Sequence, residues 1–200
     1  MELDHLAVTA ADLGQGADWV ARALGVVPGP GGAHAHYATH NRLLGLGPGL
    51  YLEVIAPDPA APRPAHPRWF GLDRAGAPRL GNWIVRVPDL AAAVAAAPEA
   101  GVAVPLSRGD LNWTIAVPPD GSLPLDGGYP TLIQWGPGTH PAGRLPDLGL
   151  RLLALDILHP RADTLRARLH ALSDPRVSFV PAAAPALRAR IATPDGEKLL

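Results

Sequence analysis

The chain has 200 residues, 48% hydrophobic and 18% charged, enough to bury a core as one large domain or two small ones. A formal net charge of -1 with no basic run argues against nucleic acid or an acidic membrane surface as partner, and the lack of cysteine excludes disulfide scaffolds, thiolate nucleophiles and cysteine zinc sites. With no basic-then-apolar leader and no apolar run near about 18 residues the expected address is cytoplasmic, and abundant arginine, alanine, glycine and proline beside a single lysine, Lys198, suit a GC-rich bacterial genome.

LDHLAVTAADL, from Leu3, reads as a strand running into a helix. Asp12 is a natural N-cap, and Leu13, Ala17, Val20 and Leu24 then follow helical spacing until Gly25 offers a left-handed stop. The PGPGG run from Pro28 has no helix after it and reads as a loop, not a phosphate cradle. HAHYATHNRLLGL from His34 and GLYLEVIAP from Gly49 read as antiparallel strands reversed by GLGPG. If the first is one strand, His34, His36 and His40 share a face beside Arg42. That pattern would suit a zinc patch but is more economically a solvated strand face.

The outline repeats at LGNWIVRVPDL. Leu3, Val8, Asp12 and Leu13 fall on Leu80, Val85, Asp89 and Leu90, 77 positions later, and Asn82 falls on His5. A helix from Leu90 through Val94 to Ala97 is followed by strands VAVPL, NWTIAVP and PTLIQWG, with PDGSLPLDGGY as a surface connection. GPGTHPAGRLP is the linker candidate. A shorter unit then offers a strand LRLLALDIL, a helix TLRARLHAL, and strands VSFVP and ALRARIATP, with Ile157 at the His5 position. The expected architecture is α+β. Paired βαβββ modules over residues 1–140 (first 1–60, second 79–136) have curved antiparallel sheets enclosing a cavity, and a βαββ unit over 148–200 packs on the same domain.

DHLAV with AADL, THNRLLGLG with YLEVIAPDP, WIVRVPDL, SRGD, and LIQWG followed by HP resemble the vicinal-oxygen-chelate superfamily, the glyoxalase, bleomycin-resistance and extradiol dioxygenase group, over about residues 1 to 140. The resemblance implies one site shared by two modules, often holding a divalent metal on residues from the first and last strand of each. His5 and Glu53 match those positions in type and place, and Asn82 and Gln134 take the corresponding places in the second module. If a divalent metal binds, the resemblance places it on His5, Glu53 and Gln134, with Mn, Fe, Ni or Zn as the candidate ions and water or substrate oxygens completing the shell. One imidazole, one carboxylate and neutral amides are a weak cage, so a metal-free pocket with a hydrogen-bonded His5–Glu53 pair stands beside it.

Strand alternation alone puts His5 on one face with Leu3, Ala7 and Thr9, and Glu53 with Tyr51 and Ile55. A carboxylate in the middle of an apolar strand needs a cation, a metal or hydrogen bonds. Glu53 is the expected catalytic base. The resemblance places Asn82, Ser107, Arg108 and Gln134 on the substrate pocket, and alternation adds Arg86 on the face of Asn82, able to reach an anionic group. Alternation turns Asp4 away from His5, so DH is not read as a dyad; His140 and His159 receive no role, and Trp83, Trp113 and Trp135 read as core with one facing the cavity. The missing second carboxylate and second histidine disfavour standard methylglyoxal chemistry and extradiol cleavage. Three readings remain. One is a metal-assisted lyase, isomerase or dioxygenase-related enzyme acting on vicinal oxygens; another is a metal-free protein that binds or sequesters a small molecule, as drug-resistance proteins do. A site that has decayed to a structural role is a third. The expected partners are a small-molecule ligand and a second copy in a homodimer.

Overall fold

Asp12 Oδ1 accepts from the Gln15 amide at 2.8 Å and Asp89 Oδ1 from the Ala92 amide at 3.0 Å, so the two aspartates close the first turns of two matching helices. The computed structural model describes residues 1–138 and 140–200. The first module runs β1 (Glu2–Thr9), α1 (Leu13–Leu24), β2 (Gly29–His34), β3 (Thr39–Gly45) and β4 (Tyr51–Pro57). The second runs β5 (Arg79–Arg86), α2 (Leu90–Ala96), β6 (Val102–Arg108), β7 (Leu111–Val117) and β8 (Thr131–Trp135). Their eight strands form one sheet in the order β2-β3-β4-β1-β5-β8-β7-β6. In each module the first strand lies parallel to the last, and the modules meet antiparallel through β1 and β5. Both halves of the site therefore come from one chain.

Both faces of this sheet are covered, which is why its strands read as nearly continuous apolar runs. Leu6, Val8, Leu52, Val54, Trp83 and Val85 pack toward Val20, Leu24 and Leu90 of the helices. On the concave face Ala7, Ile55, Ile84, Ile115 and Ile133 meet Trp69 and Phe70 from a short 3-10 segment, Trp69–Arg74, laid across the trough.

The sheet curls until its two edge strands touch, for Arg108 at the end of β6 reaches His34 and Asn41. The PGPGG run is part of this contact rather than a loop: Gly29 and Pro30 pair with Leu43 and Arg42 of β3. Proline and glycine are tolerated here because β2 is an edge strand. The glycines are also required sterically. A Cβ on Gly31 would lie 2.1 Å from Asn41 Oδ1, and one on Gly32 2.9 Å from Arg108 Cδ.

The C-terminal unit contains β9 (Arg151–His159), α3 (Ala162–Arg168), β10 (Val177–Pro181), β11 (Ala186–Thr193) and β12 (Gly196–Leu199), in the sheet order β10-β9-β11-β12. β12 is one strand more than the βαββ pattern, added by a tight turn in which the Thr193 hydroxyl donates to Gly196 O. The wiring also differs, since β9 lies parallel to the strand directly after its helix. Leu152, Leu155, Ile157, Ala189 and Ile191 join the helix-side core, so Ile157 is packing and this unit covers the back of the main sheet. Of the 136–146 linker candidate, residue 139 lies outside the described residues; Pro141–Arg144 forms a 3-10 turn, and Arg144 pairs with Asp110 at 2.6 Å.

Candidate functional site

The parallel β1–β4 register sets His5 beside Tyr51 and Ala7 beside Glu53. Period-two alternation then turns His5, Tyr51 and Glu53 to the concave face, where they line a narrow cavity with Trp69, Trp113 and Trp135. The open space there is about 30 Å³, room for one or two water molecules. The His5 ring stacks on Tyr51, centroids 4.4 Å apart and planes 14° from parallel. Burial, followed by the Asp4 and Glu53 charges, pushes the Tyr51 phenol well above its ordinary value and keeps it neutral. His5 Nε2 stands 3.7 Å from Glu53 Oε2, with the two residues only 4% and 5% exposed.

The neighbouring polar side chains form a network around this gap. Glu53 Oε1 accepts from Asn41 Nδ2 at 2.5 Å, while Asn41 Oδ1 accepts from the Gly32 amide at 2.8 Å and from Arg108 Nη1 at 3.4 Å. Those partners fix which end of the Asn41 amide is oxygen. Arg108 Nη1 also lies 3.1 Å from His34 Nε2, and His34 Nδ1 lies 3.1 Å from Thr39 Oγ1. A guanidinium only donates, so His34 accepts at Nε2 and carries its hydrogen on Nδ1. Burial, then the Arg108 charge, brings the His34 value down to about 3, so this imidazole is neutral in ordinary buffers.

Behind His5 sits Asp4, which overturns the expectation that it faces away. Leu3 pairs with Val85 and His5 with Ile84, which leaves Asp4 as the extra residue of a bulge in the β1–β5 ladder. A bulge re-aims a side chain that strict alternation would send outward. Asp4 Oδ1 lies 2.6 Å from His5 Nδ1, and Oδ2 accepts from Trp135 Nε1 and His140 Nε2, both at 3.0 Å. Burial would push this carboxyl up; hydrogen bonds from His140 and His5 and their charges outweigh it and hold Asp4 far below the usual carboxylate range. Asp4 thus takes the Nδ1 hydrogen of His5 and leaves Nε2 aimed at the cavity, the orienting role of the acid in a hydrolase triad. His140, given no role from the sequence, is part of this support.

Of the expected pocket residues, the structure brings Arg108 to His5 and Glu53 and places the others elsewhere. Asn82 is fully buried and self-contained: Nδ2 donates to Thr131 Oγ1 and Oδ1 accepts from the Trp83 amide, both at 2.9 Å. Ala7 faces Glu53 in β4 and its repeat partner Ile84 faces Thr131 in β8, so Thr131, not Gln134, stands where Glu53 stands. The Asn82–Thr131 bond is thus the neutral counterpart of the His5–Glu53 pair. Gln134 points to the helix side, where Oε1 accepts from the Leu90 amide at 2.8 Å and completes the first turn of α2. Arg86 is used by Glu2, 2.8 Å from Nε, and by Gly49 O at 3.3 Å. Ser107 is exposed on β6, opposite Asn112.

The histidine face also breaks up. β2 ends at His34 and a turn separates it from β3, so His34 enters the cavity wall, His36 stacks on His66 at 4.6 Å, and His40 approaches Asp58 at 3.9 Å. Both Trp113 and Trp135 reach the cavity, whereas Trp83 lies on the other face with Nε1 donating to Gly127 O at 3.2 Å. Asn41 went unnoticed in the sequence, although it shares odd-numbered parity with the buried Thr39 and Leu43.

His5 Nε2 and Glu53 Oε2 are spaced to share a cation, but nothing supplies the rest of a coordination shell. The second module offers an amide and a hydroxyl that bond each other, and the next charge along the wall is the Arg108 guanidinium. Among the described residues there is no group of three His, Cys, Asp or Glu suited to a metal ion. The donor set does not fit a divalent cation.

A family model described as a glyoxalase-like domain matches residues 3–173. Among solved structures, a hypothetical protein from Staphylococcus aureus shares the fold, with TM-score 0.60, 11% identity, and coverage of 92% of this chain and 87% of that one. Methylmalonyl-CoA epimerase from Mycobacterium tuberculosis also matches, at TM-score 0.43 and 20% identity over 70% of this chain and 91% of that one. So does a glyoxalase / bleomycin resistance protein from Catenulispora acidiphila, at TM-score 0.19 and 20% identity over 67% and 96%. No curated protein matches.

Proposed function

The chain belongs to the glyoxalase-like domain family, within the vicinal-oxygen-chelate superfamily, and from that premise we propose that it is a small-molecule enzyme in which His5 and Glu53 move a proton. The observation that carries this reading is the 3.7 Å gap between His5 Nε2 and Glu53 Oε2, both aimed into the cavity while their other polar atoms are held by Asp4 and Asn41. One substrate atom or one water fits such a gap. Glu53 takes a proton from a carbon beside a carbonyl, the electron pair moves onto the carbonyl oxygen, and the proton returns to the same or the neighbouring carbon. Epimerisation or isomerisation of a compound with neighbouring oxygens balances in this way without an oxidant. Asp4 keeps the His5 ring turned so that Nε2 can share or relay the proton. The indole and phenol walls exclude bulk water, which strengthens each electrostatic contact inside.

Proton exchange tests this directly. A panel of small hydroxycarbonyl compounds, charged and neutral, is incubated in D2O and followed by NMR. The wild type should wash deuterium into the position next to the carbonyl, and Glu53→Gln should slow it by about 10²- to 10⁴-fold. Equal exchange by wild type and variant would overturn the proposal. Tryptophan quenching by panel members with no exchange would favour the sequestering function, for which the Trp69, Trp113 and Trp135 walls are equally suited. Because the donor set does not fit a divalent ion, Mn, Ni or Zn should leave the melting temperature unchanged and EDTA should leave the exchange rate unchanged. A metal-dependent rise in either would restore the metalloenzyme.

A further inference from the structure

We propose that the ligand of this cavity is a small carboxylic acid, of the 2-hydroxy or 2-oxo type, whose carboxylate is bound by Arg108. The proposal names the substrate class for the proton-transfer reading above, but its support lies in the guanidinium itself. Arginine is charged at every relevant pH and presents five donors in a fixed fork. Arg68, Arg86, Arg144, Arg151, Arg176 and Arg188 each pair with a carboxylate. Arg108 has no such partner among the described residues. It is half-buried, lines the cavity, and uses one nitrogen, Nη1, on two neutral acceptors, His34 Nε2 and Asn41 Oδ1.

A partly desolvated cation satisfied only by neutral groups is an electrostatic deficit that a bound anion repairs with charge-assisted bonds. The wall is constructed to keep it so. Burial keeps His34 uncharged, so that residue supplies a lone pair without neutralising the guanidinium. Gly32 lets the Arg108 stem pass so close that a Cβ there would meet its Cδ at 2.9 Å.

The reacting position follows from the same contacts. Asn41 spans the distance from Arg108 to Glu53, accepting from one and donating to the other. A carboxylate on the guanidinium therefore directs the rest of the acid toward Glu53 Oε2 and His5 Nε2, and the proton moved is the one on C2 of a 2-hydroxy acid or on C3 of a 2-oxo acid, whose C2 carries none. The open space of about 30 Å³ admits a water or two as it stands, so even a short acid must part the aromatic walls to enter, and longer chains are excluded. Arg86, the arginine that alternation brought forward for this role, is already neutralised by Glu2.

Tryptophan fluorescence of the full chain is the readout, since Trp113 and Trp135 flank the cavity. The probes are lactate, pyruvate and glycolate against the neutral lactamide, pyruvamide and glycolamide. The acids should give saturable quenching, and the amides should bind at least about tenfold more weakly. Arg108→Met should bring acid affinity down to the amide level, and Arg108→Lys should retain part of it, which separates charge recognition from a folding defect. Near-UV circular dichroism checks that the cavity of each variant is intact. Amides binding as well as acids, Arg108→Met binding acids like the wild type, or no acid binding to the wild type would each overturn the proposal. Glu53→Gln should still bind the acids. Acid binding that depends on Arg108 without any deuterium exchange would therefore sink the proton-transfer reading and leave this one standing.

Discussion

Asp4 accepts from His5, Trp135 and His140 and is fully buried, with Arg86 Nη1 3.7 Å from its Oδ2, so its charge depends on these few neighbours rather than on water. Asp4→Asn keeps the shape but removes that charge and leaves an amide facing donors. Denaturant unfolding should show a loss of about 2–4 kcal/mol, as expected when one partner is taken from a buried charged network. In the proton-exchange assay the same variant should lower the rate with little change in substrate affinity, because His5 is misdirected rather than removed. Two buried groups near the cavity contribute to acid stability over different windows. His34 titrates at about 3 when folded against 6.5 for an ordinary imidazole, so between those values the unfolded chain binds the extra proton. Stability therefore falls by about 1.4 kcal/mol per pH unit as pH drops from 6.5 toward 3, and His34→Gln should flatten that slope. Below 3.8 Asp4 adds a second loss, because the unfolded carboxyl takes up a proton that the folded one still refuses. A stability curve flat from pH 6.5 to 4 in the wild type would contradict the buried neutral imidazole. His5 and Glu53 were legible in the sequence because parity and residue type agree for them. Asp4 was not, because its orientation depends on a bulge that period-two reasoning does not contain.

At the scale of elements, the site depends on how β2 closes against β6. The repeat offset of 77 residues and the two aspartate caps are readable from periodicity, because each rests on local spacing. The errors lie where one residue changes parity. Matching PTLIQWG to YLEVIAP by appearance places Gln134 on Glu53, whereas ladder register places Thr131 there and sends Gln134 to cap α2. The same sensitivity splits His34 from His40 across a turn. The glycine run that looks like a loop is the seam itself, and substitution separates its glycines by function. Gly31→Ala forces a Cβ to within 2.1 Å of Asn41 Oδ1 and 2.5 Å of Asn41 O, both held by ladder and network. It should cost about 1–3 kcal/mol and blunt ligand quenching of the cavity tryptophans, since Asn41 carries both Glu53 and Arg108. Gly76→Ala meets nothing within 4 Å and should stay within about 0.5 kcal/mol of wild type. Equal melting temperatures for the two variants would show that the β2–β6 seam does not constrain the site.

For the whole molecule, the question is why a cavity formed by two modules carries a third unit on its back. The main sheet needs apolar cover on both faces: the 3-10 segment and the curl of the sheet provide it in front, while α1 and α2 cover only part of the rear. Trp83 illustrates the remainder. It is fully buried on the helix side of β5, and Phe179 of β10 meets it edge-on at 6.2 Å. Leu155, Ile157 and Ile191 fill the same cluster as Leu24 and Leu90. No helix among the described residues is long and apolar enough to cross a membrane. If the C-terminal unit is part of one folding unit with the modules, a lesion in it must reach the cavity. Ile157→Ala removes fully buried side-chain volume far from His5 and should cost about 2–5 kcal/mol. Urea unfolding followed at once by far-UV circular dichroism and by cavity tryptophan fluorescence should still give one coincident transition, shifted as a whole. If the circular dichroism change came first and left a later fluorescence transition at the wild-type midpoint, residues 148–200 would be a separately melting appendage and the site would stand without them.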